Sequence, residues 1–141
     1  MSEKREDDDW QRETRDDLRS AEATLEHLSS SLAGEPDEKQ LRSAWEAYLR
    51  IEKSVAFIRV ELDEENPDRF IKPKAYVVPD ERQAIGFALR SLRDAIARFE
   101  AGELSRTLKP LRESRNYLRV LLRQKRLLRA KRARASAARP R

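Results

Sequence analysis

The sequence contains no cysteine and a single histidine, His27, and these two scarcities exclude most catalytic chemistry. Without cysteine the chain has no disulfide, no thiolate nucleophile and no cysteine-ligated zinc. One histidine beside a predicted helix seam provides neither a Ser/His/Asp triad nor a di-iron site, which needs a Glu-x-x-His motif on each of two helices. No glycine-rich phosphate loop is present either. We therefore expect a protein that is not an enzyme and has no metal, cofactor or small-molecule substrate.

Glycine and aromatic residues are also scarce: there are three glycines, and aromatic residues make up 6% of the chain. Ala, Leu, Arg and Glu, which are strong helix formers, dominate, and this predicts an all-α protein. Long apolar runs are absent as well, since no segment approaches the roughly 18 apolar residues of a membrane span. The charged start, MSEKREDDDW, does not resemble a secretory signal. A soluble, cytoplasmic protein is the expectation.

Charge is distributed unevenly along the chain. Residues 1–40 hold 13 acidic and 6 basic side chains, residues 41–102 hold 11 of each, and residues 103–141 hold 14 basic and 2 acidic ones. These terms, −7, 0 and +12, add up to the net charge of +5. A basic end of this kind is typical of proteins that bind a polyanion. Pairing of the acidic N-terminus with the basic end, which would mask it, is an equally valid interpretation of the same charge split.

Apolar spacing predicts a small antiparallel bundle of three to four helices, with a long basic C-terminal helix and a disordered tail. The helices are expected near residues 8–33, 37–64, 80–101 and 107–134, and the second, with the widest apolar stripe, should form the core. We divide the chain into an acidic flexible segment at 1–16, the bundle at 17–124 and a basic projecting helix end with its tail at 125–141. The predicted structural core comprises Leu25, Leu28, Trp45, Tyr48, Ile51, Val55, Ile58, Leu89, Leu92, Ile96, Leu111, Leu118 and Leu122.

Helix starts are marked by one cassette that occurs twice, PDEKQ at residues 36–40 and PDERQ at 79–83. In each, the aspartate is a good N-cap and the glutamine three residues later can complete a capping box. Because the similarity ends after five positions, two independent uses of the same cap explain it better than a duplicated helical unit. Between them, residues 66–79 carry three prolines and two apolar clusters, which predicts an extended strap across the bundle.

The C-terminal helix combines two faces. Leu111, Leu118 and Leu122 should anchor it, and Thr107 as N-cap would place Pro110 in the first turn, where its missing N–H costs nothing. At Lys125 a charge replaces the next core residue, so we expect docking to end near Gln124. The predicted nucleic-acid-binding residues are Arg112, Arg115, Arg119, Arg123, Arg126, Arg129, Lys131, Arg132 and Arg134.

These residues predict non-catalytic binding of nucleic acid or a ribonucleoprotein, mainly through the phosphate backbone, because the arginine fork fits phosphate and a merely solvated face would interleave both signs. Neither RNA nor DNA is favoured. The alternative is a structural subunit that docks its helical seams and basic helix on an acidic protein surface. Membrane binding is disfavoured because the apolar stripe is short and lacks Trp and Phe. The heptad-like seams also permit self-association into a homo-oligomer.

Overall fold

Four α-helices form the part of the chain that the computed structural model describes, residues 2–62 and 80–138. They are α1, Ser2–Ser31; α2, Glu38–Glu61; α3, Glu81–Glu100; and α4, Leu104–Ala138. These ranges contain no strand, so the predicted all-α class is confirmed for them. The expected strap at residues 66–79 lies outside the described residues.

The helices pack as the four corners of a square. α1 contacts α2 and α3, and α4 contacts the same two helices, which leaves α1 diagonally opposite α4. Neighbours run antiparallel: Asp17 and Glu13 of α1 pair with Arg50 and Lys53 of α2, so one chain ascends as the other descends. The expectation that α2 forms the centre is therefore wrong, because each of the four amphipathic helices contributes one stripe to a shared core.

The core follows the predicted apolar periodicity closely. The apolar stripe of α1, from Leu18 to Leu28, and Leu32 just after the helix are buried, and the stripes of the other helices meet them. Tyr48 and Leu122 are partly buried against this core. The predicted core residues that the structure buries are Leu25, Leu28, Ile51, Val55, Ile58, Leu89, Leu92, Ile96, Leu111 and Leu118.

Trp45 is the exception, since 48% of its surface is exposed rather than buried in the core. The sequence analysis placed Trp45 in the core, but successive helical residues point about 100° apart, so Ala44 and Trp45 cannot both face inward. Ala44 and Ala47 take the inward positions and are almost fully buried. Their small side chains let the neighbouring helices approach, and the indole is turned outward.

Both capping cassettes start helices as predicted. The Asp37 side chain accepts the backbone N–H of Gln40 at 2.7 Å, and the Gln40 side chain accepts the N–H of Asp37 at 3.0 Å, which completes a capping box. The Asp80 side chain caps α3 by accepting the backbone N–H of Gln83 at 2.7 Å. Gly102 has a φ of +78° in the turn that joins α3 to α4. Only glycine adopts that conformation without strain, so this residue permits the tight hairpin.

The start of α4 differs from the prediction. The helix begins at Leu104, with Pro110 in its interior, and Thr107 is an interior residue rather than the N-cap. The Thr107 hydroxyl is buried and donates to the carbonyl of Glu103 at 2.8 Å. The proline removes one helical hydrogen bond. Leu108 and Pro110 are both buried, and their burial offsets the lost hydrogen bond. Spacing rules alone do not reveal this burial.

The outer ends of the bundle also extend beyond their predicted limits. α1 is helical from Ser2, and Trp10 packs edge-on against Phe99 with ring centroids 6.3 Å apart, so packing begins well before residue 17. At the other end α4 is helical to Ala138, whereas the sequence favoured a disordered tail from Ala130. The helix continues because Ala and Arg are strong helix formers. Within the described ranges, no helix has an apolar stretch that would cross a bilayer.

Candidate nucleic-acid interface

The inner face of α4 is held against α3 by leucines and one serine. Leu108, Leu111, Leu118 and Leu121 are buried, and Ser114 fills the gap between them. The Ser114 hydroxyl donates to the carbonyl of Ala88 at 2.7 Å, which brings the backbones of α3 and α4 close together. A hydroxyl that bonds to a backbone carbonyl leaves no sequence signal beyond an interruption of the leucine stripe. With this face fixed, the orientation of every arginine on α4 follows.

Arg115 belongs to the bundle and not to its outer surface. Only 8% of its side chain is exposed, and its Nε lies 3.2 Å from Oε1 of Glu52 on α2. The prediction that Arg115 contacts phosphate is therefore corrected. The antiparallel packing of α2 and α4 places Glu52 opposite it, and a buried guanidinium is retained where a carboxylate pairs with it.

Arg119 lies one turn further along, at the edge of the same contact. Its side chain is 52% exposed, with Nη2 3.8 Å from Oε1 of Glu52, while its Nε donates to the Tyr48 hydroxyl at 3.4 Å. Arg112, one turn before Arg115, is half-buried. Arg119 therefore borders the interface between α2 and α4, and part of its guanidinium still faces solvent.

The remaining predicted contacts lie further towards the C-terminus. Arg123 and Arg134 are exposed. The other four predicted residues have a described helical backbone, but their side chains lie outside the described residues: Arg126, Arg129, Lys131 and Arg132. The helix therefore carries all six at positions set by its own geometry.

Lys125 is buried where the sequence predicted that docking lapses. Only 10% of its side chain is exposed, and its Nζ lies 2.8 Å from Oε1 of Glu81 and 3.0 Å from Oε1 of Glu35. Burial lowers the pKa of Lys125, but the hydrogen bonds to Glu81 and Glu35 outweigh it and the pKa is raised overall. The expected end of docking near Gln124 is thus wrong: an ionic contact replaces the apolar one at the next core position.

A groove of about 630 Å³ opens between α2 and α4, on the side of the bundle where these residues meet. Its floor is aromatic, since Trp45 and Tyr48 stack with ring centroids 5.3 Å apart and an interplanar angle of 24°. Its lining also contains the cationic side chains of Arg42, Arg119, Arg123 and Lys125 and one carboxylate, that of Glu38. The sequence analysis missed this groove because it treated Trp45 as a core residue.

Several cations elsewhere in the bundle are paired with acids. Arg19 lies 2.6 Å from Glu100, Arg93 lies 3.4 Å from both Glu22 and Glu26, and Lys53 lies 2.6 Å from Glu13. His27 is exposed on α1. No family model, curated protein or solved structure matches the chain. What the protein binds is therefore inferred from its residues and their geometry.

Proposed function

We propose that this protein binds nucleic acid without catalysis, mainly through phosphate contacts made by the C-terminal part of α4. One observation carries the proposal: no carboxylate follows Glu113 in the sequence, whereas eleven Lys and Arg side chains do. A surface that only needs solvation interleaves both signs of charge, as the cross-helix pairs of α1, α2 and α3 do. A one-sided run of arginines favours a ligand that supplies the negative charge.

The ion pairs within the bundle support this distribution of roles. Because Arg50 pairs with Asp17 and Arg93 with Glu22, those cations add little to the field around the molecule. Lys125 is likewise neutralised by two carboxylates. Beyond Lys125 the sequence carries seven further Lys and Arg residues and no Asp or Glu. Arginine is suited to phosphate because its fork donates two parallel hydrogen bonds.

Helical geometry suggests how the contacts would be arranged. At about 100° per residue, Arg119, Arg123, Arg126 and Arg134 fall within an arc of roughly 80°, so they share one face of α4. Arg129, Lys131 and Arg132 occupy helical positions outside this arc. From Lys125 to Ala138 the helix rises about 20 Å at 1.5 Å per residue, enough to follow several phosphates. Arg115 is excluded from this set, because Glu52 holds it inside.

Charge-matched variants test the proposal. Arg126, Arg129, Arg132 and Arg134 would be changed together to Gln, and the control would change Arg12, Arg15, Arg82 and Arg90, which are exposed on α1 and α3. Both variants lose four positive charges. Fluorescence anisotropy with labelled duplex and single-stranded oligonucleotides would measure affinity. We expect the first variant to bind at least about tenfold more weakly and the control to remain within about threefold.

The salt dependence gives a second, independent readout. If about six cations meet phosphates on a duplex, the slope of log K against log salt should be near −5 for the wild type, and the first variant should lower its magnitude by about 3 to 4. Equal affinities and slopes for the wild type and both variants would contradict the proposal. Truncation after Lys125, which retains the contact with Glu81, should have the same effect as the first variant.

An acidic protein partner is the second candidate, and one observation favours it. Several large apolar side chains lie exposed along α2, at Trp45, Leu49, Phe57 and Val60. Protein interfaces often combine an apolar centre with a charged rim. Purification with and without nuclease distinguishes the two candidates. A protein partner would remain bound after nuclease treatment. In that case the ratio of absorbance at 260 and 280 nm would show no nucleic acid in the untreated sample.

A further inference from the structure

We propose that the groove between α2 and α4 receives an unpaired base of a single-stranded nucleic acid, stacked on Trp45, with Arg42 and Arg123 on the flanking phosphates. This inference rests on the proposed function and adds a preference for single strands to it. Three features of the groove carry it: an exposed aromatic floor, a cationic rim, and continuity with the basic face of α4.

The aromatic floor fits a planar ligand. Tyr48 covers part of the indole of Trp45, and 48% of the Trp45 surface still faces solvent. Stacking on an exposed aromatic ring is the recurring way in which proteins hold bases of single strands, and it is tolerant of sequence because every base has a π face. Bases inside a duplex are already stacked on both sides and cannot reach Trp45. The floor therefore discriminates between single and double strands.

The rim supplies the charge that a nucleotide requires. Four of the five charged side chains that line the groove are cationic, and Lys125 at one end is taken by Glu35 and Glu81. Arg42 and Arg123 are exposed and have no acidic partner among the described residues. They are therefore available to bind the phosphates on either side of the stacked base. A neutral aromatic ligand would leave both arginines unused.

Continuity with α4 favours a nucleic acid over an acidic peptide. Arg123 lies in the groove and also on the helical face that continues through Arg126 to Arg134. A strand that places one base on Trp45 would carry its following phosphates along that face. A groove of about 630 Å³ is within the range of sites that enclose a ligand of nucleotide size.

The fluorescence of Trp45 provides a direct test. The chain has two tryptophans, and Trp10→Phe, a conservative change beside Phe99, leaves Trp45 as the sole reporter in the full-length protein. Circular dichroism would verify that this variant is folded. It would be titrated with a short oligothymidylate, with a duplex of equal charge and with poly-glutamate, while anisotropy of labelled strands records binding separately. We expect the single strand to quench Trp45 over the same concentrations at which it binds, and the bound duplex to leave the signal unchanged.

Substitutions in the groove supply a second measurement. Trp45→Ala should weaken single-strand binding by about tenfold, because the stacking of one base contributes about that factor to affinity. Duplex binding should weaken by less than twofold. Trp45→Phe should retain most of the affinity. The matched control is Leu49→Ala, because Leu49 is equally exposed one turn further along α2 but does not line the groove. It should leave both affinities within about twofold.

The outcomes separate this inference from the proposed function. A single strand that binds without quenching Trp45, together with an unchanged affinity in Trp45→Ala, overturns the groove proposal while phosphate binding by α4 stands. Quenching by poly-glutamate equal to that by the single strand would identify an acidic-peptide site and would also overturn it. Binding of neither duplex nor single strand removes the proposed function and the groove proposal together.

Discussion

The Nζ of Lys125 on α4 lies 2.8 Å from Oε1 of Glu81, in the first turn of α3. Glu35, in the connection before α2, approaches the same ammonium at 3.0 Å. One lysine therefore ties α4 to two other parts of the chain at the point where a charge interrupts its leucine stripe. The contact extends the docking of α4 on the bundle to Lys125.

Removing this ammonium should destabilise the bundle. We expect Lys125→Ala to lower the free energy of unfolding by about 1 to 2 kcal/mol, less than a fully buried pair would cost because Glu35 and Glu81 are partly exposed. Lys109→Ala, at an exposed position of the same helix, is the control and should change stability by less than about 0.5 kcal/mol. Urea denaturation followed by circular dichroism would measure both. Equal midpoints for the two variants would show that the ion pairs contribute nothing.

The same contact predicts a dependence of stability on pH. The hydrogen bond from Lys125 holds the pKa of Glu81 below its ordinary value of 4.5. A carboxylate with a depressed pKa in the folded state stabilises the fold above its unfolded pKa and loses this contribution as the pH falls through the folded value. Glu81→Gln should therefore cost stability at neutral pH and lose less further stability than the wild type on acidification below about pH 4.5.

At alkaline pH the change of stability with pH depends on Lys125. Its pKa is raised above 10.5, so its contribution is complete below that pH and is lost as the pH rises through the folded value. Denaturation curves of the wild type and Glu81→Gln at acidic, neutral and alkaline pH would measure the loss of stability at both extremes of pH. Parallel pH profiles for the two proteins would contradict the assignment.

The helices themselves are largely readable from the sequence. Caps at Asp37 and Asp80 and the alternating three- and four-residue spacing of apolar side chains predict α2 and α3 to within a few residues. These signals are local, since a cap and a stripe depend only on neighbours within one or two turns. Core positions such as Leu25 and Ile58 follow from the same periodicity.

What the sequence does not reveal depends on which helix lies opposite. Arg115 and Arg123 belong to the same set of predicted nucleic-acid-binding residues. Glu52 on α2 pairs with Arg115, whereas Arg123 is exposed. Lys125 interrupts an apolar stripe and is nevertheless buried, because its partner Glu35 is 90 residues away in the chain. Periodicity assigns a side chain to a face of its helix, but the packing of the other three helices decides whether that face is covered.

Arg115 and Arg123 should accordingly respond differently to the same substitution. Arg115→Gln removes the buried partner of Glu52, so we expect a loss of about 1 to 2 kcal/mol in unfolding free energy and a change in oligonucleotide affinity below twofold. Arg123→Gln should change stability by less than about 0.5 kcal/mol and weaken affinity by about threefold. Denaturation and anisotropy on each variant measure the two quantities. If Arg115→Gln weakens binding more than Arg123→Gln in folded protein, the division between structural and binding arginines is wrong.

Masking of the basic end of α4 by the acidic start of α1 is not expected within one molecule. Trp10 of α1 packs against Phe99 near the C-terminus of α3, whereas Lys125 of α4 contacts Glu81 in the first turn of α3. The two charged segments therefore lie at opposite ends of the bundle, about 30 Å apart along the 20 residues of α3.

Deletion of residues 1–16 would test masking crudely, because it also removes Trp10 from its contact with Phe99 and the buried Thr14 from the bundle. Changing Asp7, Asp8 and Asp9 together to Asn removes three charges and leaves Trp10 and Thr14 in place. Because exposed charges about 30 Å apart are screened at physiological salt, we expect this variant to bind oligonucleotides with the affinity of the wild type. Binding that is several-fold tighter at low salt, with a gain that vanishes at high salt, would instead support masking. The control changes Asp16, Glu46 and Glu61, three exposed acids elsewhere in the bundle, to their amides, so that both variants lose three negative charges.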